Sequence, residues 1–205
     1  MKKIIQGILV VAIVVLGYLL YESISKPINF KKEKNKRYEA TIERLKDIRK
    51  AELAYKSEYG SFTGGFDTLV NFLREDSFKI VKAIGRVPDG MTESQALTRG
   101  IVSRDTVKVS VKDSLFKKIK YPIENIKYVP YTDKEAFKLG AGKVKTASGV
   151  KVEVFEAKVP NDVLLKGLDR QLVINLNDEA RKMNNYPGLK VGDLDQPTNN
   201  AGNWE

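Results

Sequence analysis

Leu139-Gly140-Ala141-Gly142-Lys143 is the nearest approach in this sequence to a phosphate-binding loop. Such a loop cradles phosphates with glycine-rich backbone, and it needs an earlier glycine and a Ser or Thr after the lysine. Neither is in place, since Val144 follows Lys143. The five residues read instead as a helix cap at Gly140 and the lead-in to a strand. Serine with lysine is the other nucleophilic pairing on offer. Ser110, Ser114 and Ser148 have lysines nearby, but lysine is abundant throughout. Asp178-Glu179 is an adjacent acidic pair that reads as a solvated surface. The chain has no His and no Cys. Imidazole bases, thiol nucleophiles, disulfides and thiolate zinc sites are therefore excluded. Nothing nominates a general acid and base, and the expectation is a protein that is not an enzyme.

Two binding chemistries remain to be placed. The segment Gly192-Asp193-Leu194-Asp195-Gln196-Pro197-Thr198-Asn199-Asn200 is rich in oxygen donors. Asp193 and Asp195 are its candidate ligands for a hard cation such as calcium, although the spacing is not that of an EF-hand. Phe116-Lys117-Lys118-Ile119-Lys120-Tyr121 mixes cations with aromatics as single-strand binders do. Nucleic acid is nevertheless not expected as a partner.

These residues must be carried by something, and the N-terminus shows what. The 205 residues are 42% hydrophobic and 30% charged, with a formal net charge of +10, enough for a packed domain with an appendage. Residues 4–21 hold no charge, and roughly 20 such residues in a helix cross a bilayer. Tyr18 and Tyr21 fall where an interfacial aromatic belt would lie. The run exceeds the roughly 7–15 apolar residues of a cleaved signal, so residues 1–25 are expected to remain as an anchor. Lys31, Lys32, Lys34, Lys36 and Arg37 follow within residues 26–37, read as a basic juxtamembrane linker facing anionic headgroups. Lys26-Pro27-Ile28-Asn29 should interrupt or kink the helix there. The positive-inside rule would put the domain in the cytoplasm, whereas the short basic leader Met1-Lys2-Lys3 is typical of export. An inner-membrane anchor with a periplasmic or extracellular domain is the expectation.

From Tyr38 onward, Tyr38, Ile42, Leu45, Ile48, Ala51, Tyr55 and Tyr59 recur at helical spacing. Tyr38, Ile42, Leu45 and Ile48 are the candidate partner-binding face. Gly60 should end this helix, and Phe66, Leu69, Val70, Phe72 and Leu73 begin a second one that folds back on Tyr55 and Tyr59. Tyr59 is expected in the core. Strands are predicted over 78–84, 106–111, 126–131, 143–146, 150–157, 172–176 and 189–191. Thr146-Ala147-Ser148-Gly149 should turn a hairpin. Thr92-x-x-Gln95 and Thr132-x-x-Glu135 have capping-box spacing. Asn161 or Asp162 should open a further helix. The fold class is α+β, with an N-terminal transmembrane helix and an amphipathic helix packed on a mostly antiparallel sheet.

The pattern Ala51-x-x-Ala54-Tyr55-x-x-Glu58-Tyr59-Gly60-x-Phe62, with the turn around Asp67-x-Leu69, resembles type IV pilins and the pseudopilins of secretion systems. The leader and the apolar tract from Ile8 to Val15 resemble a pilin N-terminus as well. The likeness covers roughly the first 75 residues. It departs where pilins have a Gly-Phe processing junction and an early glutamate: here Ile8 follows Gly7, and the first acid is Glu22. The resemblance implies a pilin-like domain over 38–205 and a structural or assembly role. It also implies partners among envelope proteins or further copies of the chain, and calcium in the C-terminal loop. The alternative is a membrane-tethered module that binds a ligand, nucleic acid or a partner protein.

Overall fold

The computed structural model describes residues 2–117 and 119–205. A single helix, α1 (Lys2–Tyr59), dominates it. Residues 26–37 do not interrupt it, and Pro27 lies inside the helix. A proline removes one amide donor and crowds the preceding turn, at about 3 kcal/mol. Here the cost is confined to one turn. Apolar helix on one side and packed helix on the other hold the rest of the ladder. Gly60 closes α1 as expected, with φ 76° and its amide bonded to the Lys56 carbonyl at 2.8 Å.

After α1 come α2 (Phe66–Glu75), β1 (Ser77–Ile84), α3 (Glu93–Thr98), β2 (Ser103–Ser110) and α4 (Val111–Leu115). A 3-10 turn spans Ile123–Lys127. The remainder is β3 (Lys138–Lys145), β4 (Lys151–Pro160), α5 (Asn161–Leu164), α6 (Arg170–Lys182) and β5 (Gly188–Gly192). The protein is α+β, with two small antiparallel sheets among the described residues: the β1–β2 pair and a three-stranded sheet in the order β3-β4-β5. The core lies where α1 crosses the larger sheet and where α2 packs against α1, α4 and the 3-10 turn. Leu45, Ile48, Leu69, Leu73, Phe155, Ala157 and Val191 have no exposed surface.

Local signals decide which sequence expectations survive. Thr92 forms its capping box with Gln95, and Thr146 and Gly149 turn β3 into β4. Thr132 opens no helix. Its hydroxyl donates backward to the Val129 carbonyl at 2.8 Å, and Tyr131 and Lys134 take positive φ. Gly140 therefore closes nothing and lies in β3. Residues 126–131 are not a strand: Ile123 and Ile126 are buried three residues apart on the 3-10 turn. Residues 172–176 form part of α6. Asp169 caps that helix by accepting from the Leu172 amide at 3.1 Å, and Val173 and Asn177 point inward one turn apart.

Candidate functional site

Residues 4–21 of α1 are exposed throughout. Ile4, Leu9, Val14, Leu20 and Ile24 are each more than half exposed. This is the one helix, among the described residues, long and apolar enough to cross a membrane. Water would strip a helix so coated of any advantage in remaining exposed. Hydrocarbon would keep its backbone bonds and bury its side chains.

The basic cluster divides into two kinds of residue. Lys31, Lys32 and Lys36 are exposed, with Lys36 lying over the Tyr131 ring at 5.1 Å. Lys34 is half-buried over the Tyr38 ring. Arg37 is committed inward. Its guanidinium pairs with Glu33 at 3.2 Å and donates to the carbonyls of Leu164 at 3.2 Å and Lys166 at 3.0 Å. It is a clamp between helix and domain.

The stripe is spent on the domain's own core. Leu45 and Ile48 are fully buried, and Ile42 and Tyr38 pack against the same cluster. The Tyr38 hydroxyl donates to Asn161 Oδ1, Asn161 Nδ2 to Asn177 Oδ1 at 2.9 Å, and Asn177 Nδ2 to Asp162 Oδ1 at 3.0 Å. Burial pushes the Tyr38 phenol up to about 12, against the pull of Asn161. This relay ties α1 to α5 and α6. The face offered by sequence for partner binding is thus covered by the chain itself along Leu45 and Ile48.

Asp193 is buried, and both its oxygens are engaged: Oδ2 by the Lys190 ammonium at 2.6 Å, Oδ1 by the Asp195 amide at 2.8 Å. Burial raises this carboxyl, but Lys190 and the Asp195 amide outweigh it and hold it below the usual range. Asp195 is exposed. No three His, Cys, Asp or Glu side chains converge among the described residues. The Lys190 ammonium already supplies the positive charge that calcium would bring, so the two aspartates as placed do not fit that ion. Thr198 Oγ1 is buried beside this loop without a partner, and it would add one neutral oxygen.

The remaining chemical candidates are also occupied. Gly140 sits in β3 under the Leu194 side chain, which would stand 3.1 Å from an added Cβ, leaving no room for a phosphate. Asp178 pairs with Arg181 at 3.0 Å on the outside of α6. Ser148 shares its hydroxyl with Thr146 in the hairpin turn. Phe116 is buried. Tyr121 donates to Asp47 at 2.5 Å beneath the Arg44 guanidinium, and burial, reinforced by Asp47, raises its phenol. Neither ring is free to stack on a base. Lys118, between them, lies outside the described residues, as does Met1 of the basic leader.

Comparison with protein-family models, characterised proteins and solved structures finds no match.

Two features of the molecule have no counterpart among the sequence candidates. One is Glu52, fully buried in α1. Its Oε2 accepts from the Thr63 amide at 3.0 Å, while its Oε1 has no partner. Burial pushes its pKa up to about 8, against the pull of the Thr63 amide. The stripe itself could have revealed it, because 45, 48, 52 and 55 follow the alternating three-and-four spacing of one helix face. The other is the α5–α6 loop, brought to α1 by pairings 127 and 129 residues apart in the chain. No local pattern announces that contact.

Proposed function

We propose that this chain is a membrane-anchored, non-catalytic envelope protein, a structural or assembly subunit of a pilin-like or secretion-related complex. One observation carries the reading: α1 is a single 58-residue helix whose residues 4–21 are bare and uncharged and whose later stripe, Leu45, Ile48, Ala51 and Ala54, is buried in the core. An apolar helix continuous with its domain presents the same surface to lipid and to neighbouring apolar helices. The anchor is set in the inner membrane and the domain lies outside the cytoplasm.

Exchanging residues 4–21 for an unrelated leucine-alanine span of equal length tests the role. In an assembly subunit, chemical crosslinks in native membranes should disappear while membrane retention persists. Unchanged crosslinks would leave a tethered binding module as the better description. Topology has its own measurement. Protease added to spheroplasts should digest the domain, and protection until lysis would place it in the cytoplasm.

A further inference from the structure

The α5–α6 loop lies against the part of α1 that leaves the apolar run. Lys26 and Phe30 on the helix share one recess with Leu168 and Asp169 on the loop. The Arg37 clamp, eleven residues or about 16 Å further along the axis than Lys26, holds the Lys166 end of the loop, and the Tyr38–Asn161–Asn177 relay holds it from behind. Lys26, Phe30 and Glu33, which line the recess, stand five, nine and twelve residues beyond Tyr21, about 7.5, 13.5 and 18 Å along the axis. The headgroup layer of a bilayer is itself roughly 5–8 Å thick. With residues 4–21 in hydrocarbon, the Leu168–Asp169 end of the loop therefore stands from the outer edge of the headgroups outward, and the roughly 20° tilt common to membrane helices lowers it onto them when α1 leans to that side.

Charge and polarity suit that level. Leu168 is half-buried between the exposed Lys166 and Arg170. Of the acids nearby, Glu22 pairs with Lys26 at 2.7 Å and Glu33 with Arg37 at 3.2 Å, Asp169 caps α6, and Asp162, beside Lys166 and Arg170, accepts from the Asn177 side-chain amide. Lys31 and Lys32 are exposed and, by helical spacing, face away from the side that carries Lys26, Phe30 and Arg37. Loop and helix together thus put cations around the whole circumference of α1. Helical side chains also lean toward the N-terminus, here toward the bilayer.

We propose that the loop 166–170 is a second membrane contact. Leu168 seats among the headgroups, and Lys166 and Arg170 bind anionic phospholipid, docking the domain on the bilayer in one orientation. This rests on the reading of residues 4–21 as an anchor.

The absence of cysteine makes single-site labelling clean. The full chain carrying Leu168→Cys would be labelled with an environment-sensitive fluorophore. It would be reconstituted into vesicles of phosphatidylcholine alone or with phosphatidylglycerol, and vesicle association scored by flotation. In the anionic vesicles the label should shift to the blue. A headgroup nitroxide should quench it several-fold more than the same label at Lys143→Cys on β3. Lys166→Glu with Arg170→Glu should abolish the difference without affecting flotation. Equal quenching at both sites in floated protein would overturn the loop contact and leave the anchor standing. An equal shift in phosphatidylcholine alone would overturn the anionic-headgroup assignment. Failure to float would overturn the anchor and the contact with it.

Discussion

Glu52→Gln is expected to raise the urea midpoint of the detergent-solubilised chain at pH 9 and to leave it nearly unchanged at pH 4. The sign follows from where the proton sits. An unfolded glutamate titrates near 4.3. In the folded chain, burial holds Glu52 protonated up to about pH 8. Below pH 4 both states carry the proton and the group contributes no pH dependence. Between the two values the folded state binds more protons than the unfolded one, so stability falls as pH rises. Above pH 8 both are ionised and the loss is complete. The two values set a ceiling on that loss of about 5 kcal/mol, at 1.36 kcal/mol per pKa unit. Glutamine keeps an acceptor for the Thr63 amide and cannot ionise, so the parent-minus-variant difference should open across this window. Parallel midpoints from pH 4 to pH 9 would mean that Glu52 is solvated or paired in the folded chain.

Phe155→Ala should be as costly by a different route. Phe155 is the largest side chain with no exposed surface, and its ring lies 4.8 Å from that of Phe62. Emptying such a site forfeits the transfer energy of the ring and leaves a cavity, about 3–5 kcal/mol together. Typical domains are stable by only about 5–15 kcal/mol. Tyr59→Ala should cost far less, about 1 kcal/mol. Tyr59 is 53% exposed, lies over the Tyr55 ring at a 30° tilt, meets Phe72 edge to face, and donates one surface hydrogen bond to Asp76 at 2.7 Å. The expectation that Tyr59 lies in the core is thus corrected. Its place on the stripe is real, but the last turn of α1 runs beyond the edge of the domain. Urea titration of both variants decides the ranking, and a larger loss for Tyr59→Ala would reverse it.

Signals that act within a few residues were legible in the sequence. The uncharged run, the stop at Gly60, the second helix, the capping box at Thr92 and the hairpin at Thr146 each rest on neighbouring residues. So do strands β1, β2, β4 and β5. Failures came where one signal had two uses. A hydroxyl such as that of Thr132 can cap a helix forward or bond a turn backward, and spacing does not choose between them. A five-residue apolar window such as 172–176 suits a strand or a helix turn, and the deciding cap at Asp169 lies outside it. Pro27 breaks a helix only if the flanking turns are weak. At the candidate site, the apolar helix and the basic cluster were visible from composition. The burial of Leu45, Ile48 and Glu52 depended on which strands cover α1. The commitment of Arg37 depended on a loop more than 120 residues away.

The unbroken passage of α1 through Pro27 gives the molecule a lever. Tyr21 and Tyr59 are 38 residues apart on one helix, about 57 Å. Membrane helices commonly tilt by about 20°. If residues 4–21 cross a bilayer as proposed, swinging α1 through that angle about its exit would carry its far end sideways by roughly 20 Å. The domain core is built on the same rod, so it would turn with the rod as one piece. Where the 166–170 loop is not docked, lipid thickness, or a neighbouring helix that changes the tilt, would thereby be geared up into a large displacement of the tyrosine end of the molecule.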